Sequence, residues 1–295
     1  MTAFNSVSVL TLIRGRQAHF DHLIAGLRAQ VSQPDELVVA YMQPDPPDYP
    51  DDLTFSVRCV RVDGDPLPLA KARNSAAKAA EGDVLAFLDV DCIADTQFVR
   101  RAREACAADA RQVFLPEVRY LPAQQGSWMT DAEVPDYEKL KAHGERHPAK
   151  PNLEDCSIAP IDDFGELWGL SFILSRGTWK DAGGMDEAYI GYGAEETDFA
   201  ERLRASGAQL YWLGGTICFH QHHTVCKPPL QHFDTIVRNA RTFHDRWGRW
   251  CMDYWLDDFA RRGLVRRSGD ELQVLRRPSR SEVEASEQPP HVRFS

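Results

Sequence analysis

The stretch that constrains the fold most strongly is the apolar run Val84–Leu88, with the motif Asp89-Val90-Asp91 directly after it. A short, continuous apolar run that begins soon after a glycine is typical of a strand buried on both faces of an α/β sheet. In open α/β sheets, ligands bind beyond the carboxyl ends of the strands, which is where Asp89 and Asp91 lie. On an extended chain both side chains share one side, and a divalent cation that also holds a diphosphate would relieve their repulsion. The alternative is a solvated strand end or a helix N-cap.

Length and composition narrow the class of protein. The 295 residues suffice for one large α/β domain, or a domain with a tail, and the hydrophobic content of 43% supports a core. A formal net charge of −10 argues against nucleic acid as the main partner. We find no apolar run long enough to span a bilayer and no signal peptide. The seven scattered cysteines indicate reduced thiols and a cytoplasmic protein, with peripheral attachment to a membrane left open.

Periodicity predicts strands that alternate with helices in the first half of the chain. This succession indicates a mostly parallel central sheet with right-handed crossovers and helices on its faces. From 122 to 165 the pattern fades into a long, partly helical excursion. At 230–262 we expect one long aromatic-rich helix, followed by a mobile charged tail. Strands are expected at 6–13, 36–42, 55–62, 84–88, 112–121, 166–175, 209–213 and 216–219, and helices at 17–30, 67–80, 96–110 and through 199–205.

Cationic and amide side chains gather near the same edge of the predicted sheet. Arg14 and Arg16 follow the first strand, and a guanidinium fork suits a phosphate. Lys71, Arg73 and Asn74 lie near the start of the helix that precedes the Asp-x-Asp strand, where a helix N-terminus also favours anions. Taken singly, each of these residues is better explained as an ordinary solvated surface group, and only their shared position favours a donor site.

A glycine-aromatic loop opens onto a cluster of acids in the second half of the chain. Tyr192 is followed by Glu195, Glu196 and Asp198 at the start of a helix. Acids in a first turn are favourable next to the helix dipole, which is one explanation for all three. The functional interpretation is a general base beside an aromatic platform for a sugar ring.

Two further motifs have a possible role in binding. Trp168-Gly169 lies in a predicted strand, where a glycine indicates the close approach of a backbone or a ligand. His220, His222 and His223 lie within four residues at the end of another strand. A lone histidine there would be structural, whereas a cluster of this kind indicates a metal ligand.

The order of these motifs resembles that of inverting GT-A glycosyltransferases of family 2. The second half resembles the C-terminal domain shared by β-1,4-galactosyltransferases and polypeptide N-acetylgalactosaminyltransferases. The resemblance covers about residues 6–225, and its most specific part runs from Gly-Gly-Met-Asp to Glu-Glu-Thr-Asp. The motifs that carry it are Arg14-Gly15-Arg16, Asn74, Asp89-Val90-Asp91, Trp168-Gly169-Leu170-Ser171, Gly183-Gly184-Met185-Asp186, Tyr192-Gly193-Ala194-Glu195-Glu196-Thr197-Asp198 and His220-Gln221-His222-His223.

The resemblance implies a GT-A fold with a mostly parallel central sheet flanked by helices. It implies one domain at 1–263, made of a nucleotide-binding half at 1–121, an acceptor and catalytic half at 122–225 and a C-terminal helix at 226–263. The remaining residues, 264–295, are expected to be the mobile tail.

The resemblance also implies roles for single residues. Asp91 would be the first metal ligand, Asp89 would contact the ribose or the metal, and His220 or His223 would complete a Mn²⁺ (or Mg²⁺) site. The family's Trp-Gly-Gly-Glu-Asp motif becomes Tyr192 to Glu196 here, which makes Glu196 the base and Glu195 the residue that holds the acceptor, with the two roles open to exchange. The implied acceptor contacts are Tyr192, Glu195 and Asp198, and the implied donor contacts are Arg14, Arg16, Lys71, Arg73, Asn74, Asp89, Val90, Trp168 and Gly169.

The implied activity is a metal-dependent, inverting transfer of a hexose of the Gal, GalNAc or Glc type. The donor is expected to be UDP-linked, and the acceptor hydroxyl belongs to a carbohydrate, a glycolipid or a small molecule. One alternative is a sugar nucleotidyltransferase, which would carry a glycine-rich, lysine-bearing phosphate loop near the N-terminus. The other is a non-catalytic protein that binds nucleotide sugars or carbohydrates.

Overall fold

The computed structural model describes residues 6–123, 127–154 and 157–294. The first five residues and residue 295, which belong to the expected domain and tail, lie outside the described residues. Within these ranges, none of the helices combines the length and the apolar character that crossing a bilayer requires.

Strands and helices follow one another largely as the sequence predicts. The strands are β1 (Val7–Ile13), β2 (Glu36–Tyr41), β3 (Ser56–Arg61), β4 (Val84–Leu88), β5 (Cys92–Ala94), β6 (Gln112–Tyr120), β7 (Glu145–Arg146), β8 (Ile158–Ile161), β9 (Ser171–Ser175), β10 (Gln209–His220), β11 (Val265–Ser268) and β12 (Glu271–Val274). The helices are α1 (Gln17–Arg28), α2 (Leu69–Ala79), α3 (Phe98–Ala108), α4 (Tyr137–His143), α5 (Arg176–Asp181), α6 (Glu195–Ala205), α7 (Phe233–Trp247), α8 (Asp253–Arg261) and α9 (Arg280–Ala285).

The central sheet is mixed and mostly parallel, which confirms the expected architecture. Its strand order is β3-β2-β1-β4-β9-β6-β10-β5. Strands β3, β2, β1 and β4 pair in parallel, as do β6 and β10, while β9 runs antiparallel between β4 and β6. The carboxyl ends of β1, β4, β6 and β10 therefore share one edge of the sheet, which is where ligands bind in such folds.

Strand β4 is buried along its whole length because its side chains alternate between two cores. Leu85 and Phe87 pack into a core built with α2 and α6. Val84, Ala86 and Leu88 pack on the opposite face, in a core built with α1 and α3. A strand covered on both faces has no polar side, which explains the continuous apolar run in the sequence.

The chain after β4 does not continue as the extended Asp-x-Asp segment that the sequence indicated. It turns at Val90 and Asp91, because the Cys92 amide donates a hydrogen bond of 2.9 Å to the Asp89 carbonyl. The Asp89 amide is held by the Leu170 carbonyl at 2.9 Å. This turn gives the two carboxylates different sets of partners, rather than one shared side of a strand.

Several predicted elements have different boundaries in the structure. The strand expected at 166–175 is β9, which begins only at Ser171, so Trp168 and Gly169 precede the strand and do not lie within it. The strands expected at 209–213 and 216–219 are the single strand β10, whose register against β6 shifts between Leu213 and Ile217. The helix expected at 230–262 is divided into α7 and α8. Helix α7 ends because Gly248 takes a left-handed conformation with φ of 65°, a common helix C-terminal signal.

Residues 264–294, expected to be a mobile tail, form β11, β12 and α9 in the structure. Leu264, Val265 and Leu272 are buried in a core shared with α7 and α8, and this burial of apolar side chains explains the order. The chain then returns to the central sheet, where Phe294 packs on Tyr120 with ring centroids 5.1 Å apart.

The core of this C-terminal unit can be tested on α8. Phe259 is fully buried, so replacing it with alanine should lower the free energy of unfolding by about 3–5 kcal/mol. Tyr254 lies on the same helix and is 63% exposed, so Tyr254→Ala should change that free energy by less than about 0.5 kcal/mol. Urea denaturation followed by circular dichroism measures both values. Equal, small effects of the two substitutions would contradict the packing described here.

Candidate active site

The pairing of β5 with β10 brings two distant motifs together at the carboxyl edge of the sheet. His220, the last residue of β10, lies opposite Cys92, the residue after Asp91. The Gln221 amide then donates a hydrogen bond of 2.7 Å to the Asp91 carbonyl. The Asp-x-Asp motif and the histidine motif, more than a hundred residues apart in sequence, therefore form one site.

Asp91, His220 and His223 form a potential metal site, which we call the metal triad. One carboxylate oxygen and one ring nitrogen from each histidine lie within 4.8 Å of one another. The distance from His223 Nε2 to Asp91 Oδ2 is 3.7 Å. His222, the third histidine of the motif, does not belong to this group of side chains, so the described structure distinguishes it from its neighbours.

The chemistry of the metal triad fits a divalent cation. Asp91 is fully buried, and a buried carboxylate needs a positive partner. Burial, together with the charges of His223 and Arg16, lowers the pKa of His220 to about 3. The pKa of His223 is lowered as well, chiefly by burial and then by Arg16. Neutral imidazoles are the form that binds metals, and one carboxylate with two imidazoles is a ligand set typical of divalent transition metals.

Arg16 reaches this site because the chain turns sharply at the end of β1. Gly15 and Arg16 both take left-handed backbone conformations, with φ of 68° and 59°. This turn starts α1 and directs the Arg16 guanidinium to Asp91 Oδ2, with which it forms an ion pair. Arg14 points elsewhere, 3.7 Å from Asp65 in an exposed pair. The structure thus brings only one of the two predicted arginines to the metal triad.

His19 contacts Asp91 and was missed in the sequence. Its Nδ1 lies 2.6 Å from Asp91 Oδ1, so the ring donates a hydrogen bond to the carboxylate. Burial, with added repulsion from Arg16 and His223, lowers the pKa of His19 to about 4. His19 follows Arg16 by three residues on α1, and this helical spacing was the signal that could have identified it.

Arg73 is the centre of a second cluster of charged side chains. It contacts Glu195 and Glu196, which we call the carboxylate pair. Its Nη2 donates a hydrogen bond of 2.8 Å to Glu196 Oε1, and its Nη1 lies 3.5 Å from Glu195 Oε1. The side chain of Arg73 is only 8% exposed. Burial alone lowers the pKa of Arg73, but Glu196, Glu195 and Asp89 together raise it, so the group stays cationic.

Burial raises the pKa values of the acids around Arg73, whereas it lowers the pKa of Arg73 itself. Burial and the neighbouring charge of Glu196 raise the pKa of Glu195 to about 7, although Arg73 lowers it. Burial also raises the pKa of Asp89, against the lowering effect of Arg73 and Arg16. A carboxyl group whose pKa lies near neutrality is suited to proton transfer or to hydrogen bonding with a hydroxyl.

Gly169 has a steric reason to be a glycine. A Cβ atom at this position would overlap the Glu196 carboxylate and would lie 2.5 Å from Arg73 Nη2. Gly169 and Arg73, together with Asp89 and Leu12, line a small cavity beside β1 and β4. The close approach predicted from the sequence is therefore to the Glu196 side chain of the protein itself.

The other predicted donor residues lie in different surroundings. Asn74 donates a hydrogen bond of 2.8 Å to the Met185 carbonyl and accepts one of 2.9 Å from its amide, which anchors the Gly-Gly-Met-Asp turn. Lys71 is exposed, and the Val90 side chain is buried in the core. The Trp168 ring lies 3.3 Å from Lys150 Nζ.

Tyr192 and Asp198, the other two predicted acceptor residues, differ in exposure. Tyr192 is 37% exposed and stacks on His232, with ring centroids 4.7 Å apart, so it offers an accessible aromatic face. Asp198 is fully buried and accepts hydrogen bonds from Tyr189, Arg246 and Trp247. The structure therefore places Asp198 in the packing between α6 and α7 rather than on an open surface.

Replacement of Arg73 should lower the stability of the protein strongly. Arg73→Met leaves two carboxylates without their buried cation, and we expect a loss of about 3–5 kcal/mol in the free energy of unfolding. Adding Glu195→Gln should recover part of that loss, because it removes one unpaired charge. Lys71→Met, an exposed change on the same helix, serves as the control in urea denaturation at pH 8. A stability of Arg73→Met equal to that of the control would refute the ion pairing.

Two family models match adjoining parts of the chain. Residues 54–160 match glycosyl transferase family 2, and residues 158–224 match the model described as the N-terminal domain of galactosyltransferase. The first match contains the Asp-x-Asp motif, and the second contains the carboxylate pair and all three histidines of the strand end.

The chain is also similar to two curated glycosyltransferases. The chain is 25% identical over 219 residues to the validoxylamine A glucosyltransferase of Streptomyces hygroscopicus subsp. limoneus, which covers 68% of the chain and 48% of the relative. It is 28% identical over 151 residues to the protein of the same name from S. hygroscopicus subsp. jinggangensis (strain 5008), covering 47% of the chain and 36% of the relative. The chain thus spans half or less of the length of these relatives.

Solved structures share the fold at low sequence identity. The crystal structure of GalNAc-T7 with UDP, GalNAc and Mn²⁺ has a TM-score of 0.54 at 14% identity, covering 74% of this chain and 43% of that one. Residues 1–349 of Staphylococcus aureus TarS give a TM-score of 0.53 at 16% identity, covering 81% of this chain and 66% of that one. The chain therefore has the GT-A glycosyltransferase fold, and consecutive segments of it match the models of glycosyl transferase family 2 and of galactosyltransferase.

Proposed function

We propose that this protein is a metal-dependent inverting glycosyltransferase that moves a hexose from a UDP-linked donor to an acceptor hydroxyl. The observation that carries the proposal is the presence of two chemically different sites at one edge of the sheet. Asp91 of the metal triad pairs with Arg16, Arg73 binds the carboxylate pair, and the charge of Asp89 interacts with both arginines. Inverting transfer needs charge compensation at the leaving group and a base on the opposite face of the sugar.

The leaving-group side would be formed by the metal triad and Arg16. Asp91, His220 and His223 would hold the ion, and Mn²⁺ is the ion that we propose. When bound, such an ion neutralises the charge that develops on a departing diphosphate. Arg16, whose side chain is 41% exposed, can turn its guanidinium to a phosphate oxygen. The GalNAc-T7 structure with UDP and Mn²⁺, and TarS in complex with UDP at a TM-score of 0.51, support this choice of donor and ion.

The acceptor side would be formed by the carboxylate pair and Tyr192. The Glu196 side chain is 29% exposed and that of Glu195 is 5% exposed, so Glu196 is the more accessible base. Glu196 would remove the proton of the acceptor hydroxyl as that oxygen attacks the anomeric carbon, while Glu195 holds the acceptor. Arg73 keeps both carboxylates in place. Tyr192 offers an apolar face on which a sugar ring could stack.

The proposal extends to the donor, the acceptor and the location of the protein. The names of the curated relatives favour a glucose-type donor among the Gal, GalNAc and Glc types. A carbohydrate, a glycolipid and a small molecule all remain acceptor classes for the hydroxyl that Glu196 activates. We assign the protein to the cytoplasm because buried cysteines such as Cys92, Cys106 and Cys218 are free thiols.

The test of the proposed function uses water as the acceptor, so that no acceptor has to be known. We expect Mn²⁺-dependent release of UDP from at least one of UDP-glucose, UDP-galactose and UDP-GalNAc. Asp91→Asn and His220→Ala should abolish it, and His222→Ala, in the same loop but outside the metal triad, should retain it. Glu196→Gln should lower the turnover number by about 10²–10⁴-fold while UDP binding, measured by calorimetry, is kept.

The stereochemistry of the product distinguishes the mechanism. The hexose released from an α-linked donor should appear first as the β-anomer in ¹H NMR spectra recorded before mutarotation. A first product with the α-configuration would exclude the inverting mechanism. Donor binding without turnover, unaffected by Glu196→Gln, would instead indicate a non-catalytic binding protein.

The pH dependence of UDP release should follow the carboxylate pair. Since the pKa of Glu195 is raised to about 7, we expect kcat/KM to increase as the pH rises through about 7, where the pair loses its proton. The ionised form is required because a proton held by the pair would reduce the ability of Glu196 to remove the proton of the acceptor hydroxyl. In Glu195→Gln this step near neutral pH should disappear. A profile with an unchanged step in that variant would assign the titration to another group.

A further inference from the structure

One face of α1 is directed at the metal triad. Arg16 is the residue directly before α1, and His19 and His22 lie three residues apart on the helix, which places the two histidines on one side of it. Arg16 pairs with Asp91 Oδ2 and His19 with Asp91 Oδ1. His22 Nδ1 lies 2.5 Å from the side-chain oxygen of Gln221. This helix face therefore contacts both strand ends that supply the metal triad.

Gln221 closes a ring of hydrogen bonds around Asp91. Its amide donates to the Asp91 carbonyl at 2.7 Å, and its side-chain nitrogen donates to the His19 carbonyl at 3.4 Å. It is 2% exposed and lies between His220 and the other two histidines of the motif. Asp91 is thus tied to α1 through its side chain by His19 and through its main chain by Gln221.

The two oxygens of Asp91 have different neighbours. Oδ1 accepts the hydrogen bond from His19, whereas Oδ2 pairs with the exposed guanidinium of Arg16 and lies 3.7 Å from His223 Nε2. Because a carboxylate only accepts hydrogen bonds, the Nδ1 atom of His19 carries the hydrogen. That nitrogen has no lone pair for a cation, and the group of ligand atoms within 4.8 Å consists of Asp91, His220 and His223.

We propose that His19 is a positioning residue of the metal site, which fixes the Asp91 carboxylate so that Oδ2 faces the ion shared with His220 and His223. The inference rests on the proposed function, since it concerns how that metal site is held. Without the bond from His19, the carboxylate can rotate, and it loses its orientation toward the ion. Loss of a hydrogen-bond partner to a metal ligand typically weakens metal binding by about 10–100-fold.

The experiment measures Mn²⁺ affinity directly, by the loss of the free Mn²⁺ signal in electron paramagnetic resonance, on the full chain. His19→Ala removes the hydrogen bond. His19→Asn places an amide NH₂ close to the position of the Nδ1 atom, whereas His19→Gln places it one carbon farther out. Asp21→Ala, an exposed change on the same helix, is the control, and circular dichroism confirms that every variant is folded.

We expect His19→Ala and His19→Gln to raise the Mn²⁺ dissociation constant by about 10–100-fold, while His19→Asn and Asp21→Ala stay close to the unaltered protein. Electron spin-echo modulation of the bound Mn²⁺ should show the same two directly coordinated nitrogens, from His220 and His223, in the unaltered protein and in His19→Asn. An unchanged affinity of His19→Ala, or a His19→Asn variant as weak as His19→Ala, would overturn the proposal. So would loss of a nitrogen coupling in His19→Asn, which would make His19 a ligand.

The same titration separates this inference from the proposed function. If the unaltered protein binds Mn²⁺ and Asp91→Asn does not, the metal site exists, and only the histidine variants decide the role of His19. If the unaltered protein binds no Mn²⁺, both the metal site and the positioning role are overturned.

Discussion

The burial of Arg73 against the carboxylate pair is the interaction on which the arrangement of this molecule depends. A guanidinium inside a protein is tolerated only when carboxylates balance its charge and its hydrogen bonds are made. Arg73 belongs to α2, in the first half of the chain, and Glu195 and Glu196 begin α6, in the second half. Their contact fixes the two halves relative to each other and requires Gly169, because any side chain there would displace Glu196.

The same need for charge balance organises the other end of the site. Asp91 is fully buried at a turn, and Arg16, His19 and His223 surround its two oxygens. Burial keeps the histidines neutral at physiological pH, so they donate hydrogen bonds or lone pairs rather than positive charge. In the function that we propose, the part of the site around Asp91 would bind a cation and the part around Glu196 would accept a proton. A reaction that expels a diphosphate while a hydroxyl attacks requires both.

The C-terminal unit supports the acceptor side of the site. Asn239 on α7 donates a hydrogen bond of 2.8 Å to the Gly193 carbonyl, in the loop that leads to the carboxylate pair. Trp255 on α8 lies 5.5 Å from the Tyr192 ring. The C-terminal unit thus stabilises the loop that contains Tyr192 and Gly193. Its division into two helices follows from a local backbone feature, the left-handed Gly248, which a helical pattern of aromatic residues did not reveal.

The sequence by itself determined the central strand, the mostly parallel sheet and the chemical types of the site, because buried strands and strand-end carboxylates leave short-range patterns. It did not determine which side chains meet. His19, Gln221 and the Arg73 pairing depend on contacts between segments far apart in the chain, set by how β10 and α6 pack against the first half. In the same way, Asp198 and Asn74 carry functional residue types, but the tertiary structure uses their hydrogen bonds for packing. Only the folded chain decides this, because burial and partners, rather than residue type, determine what a polar side chain is free to do.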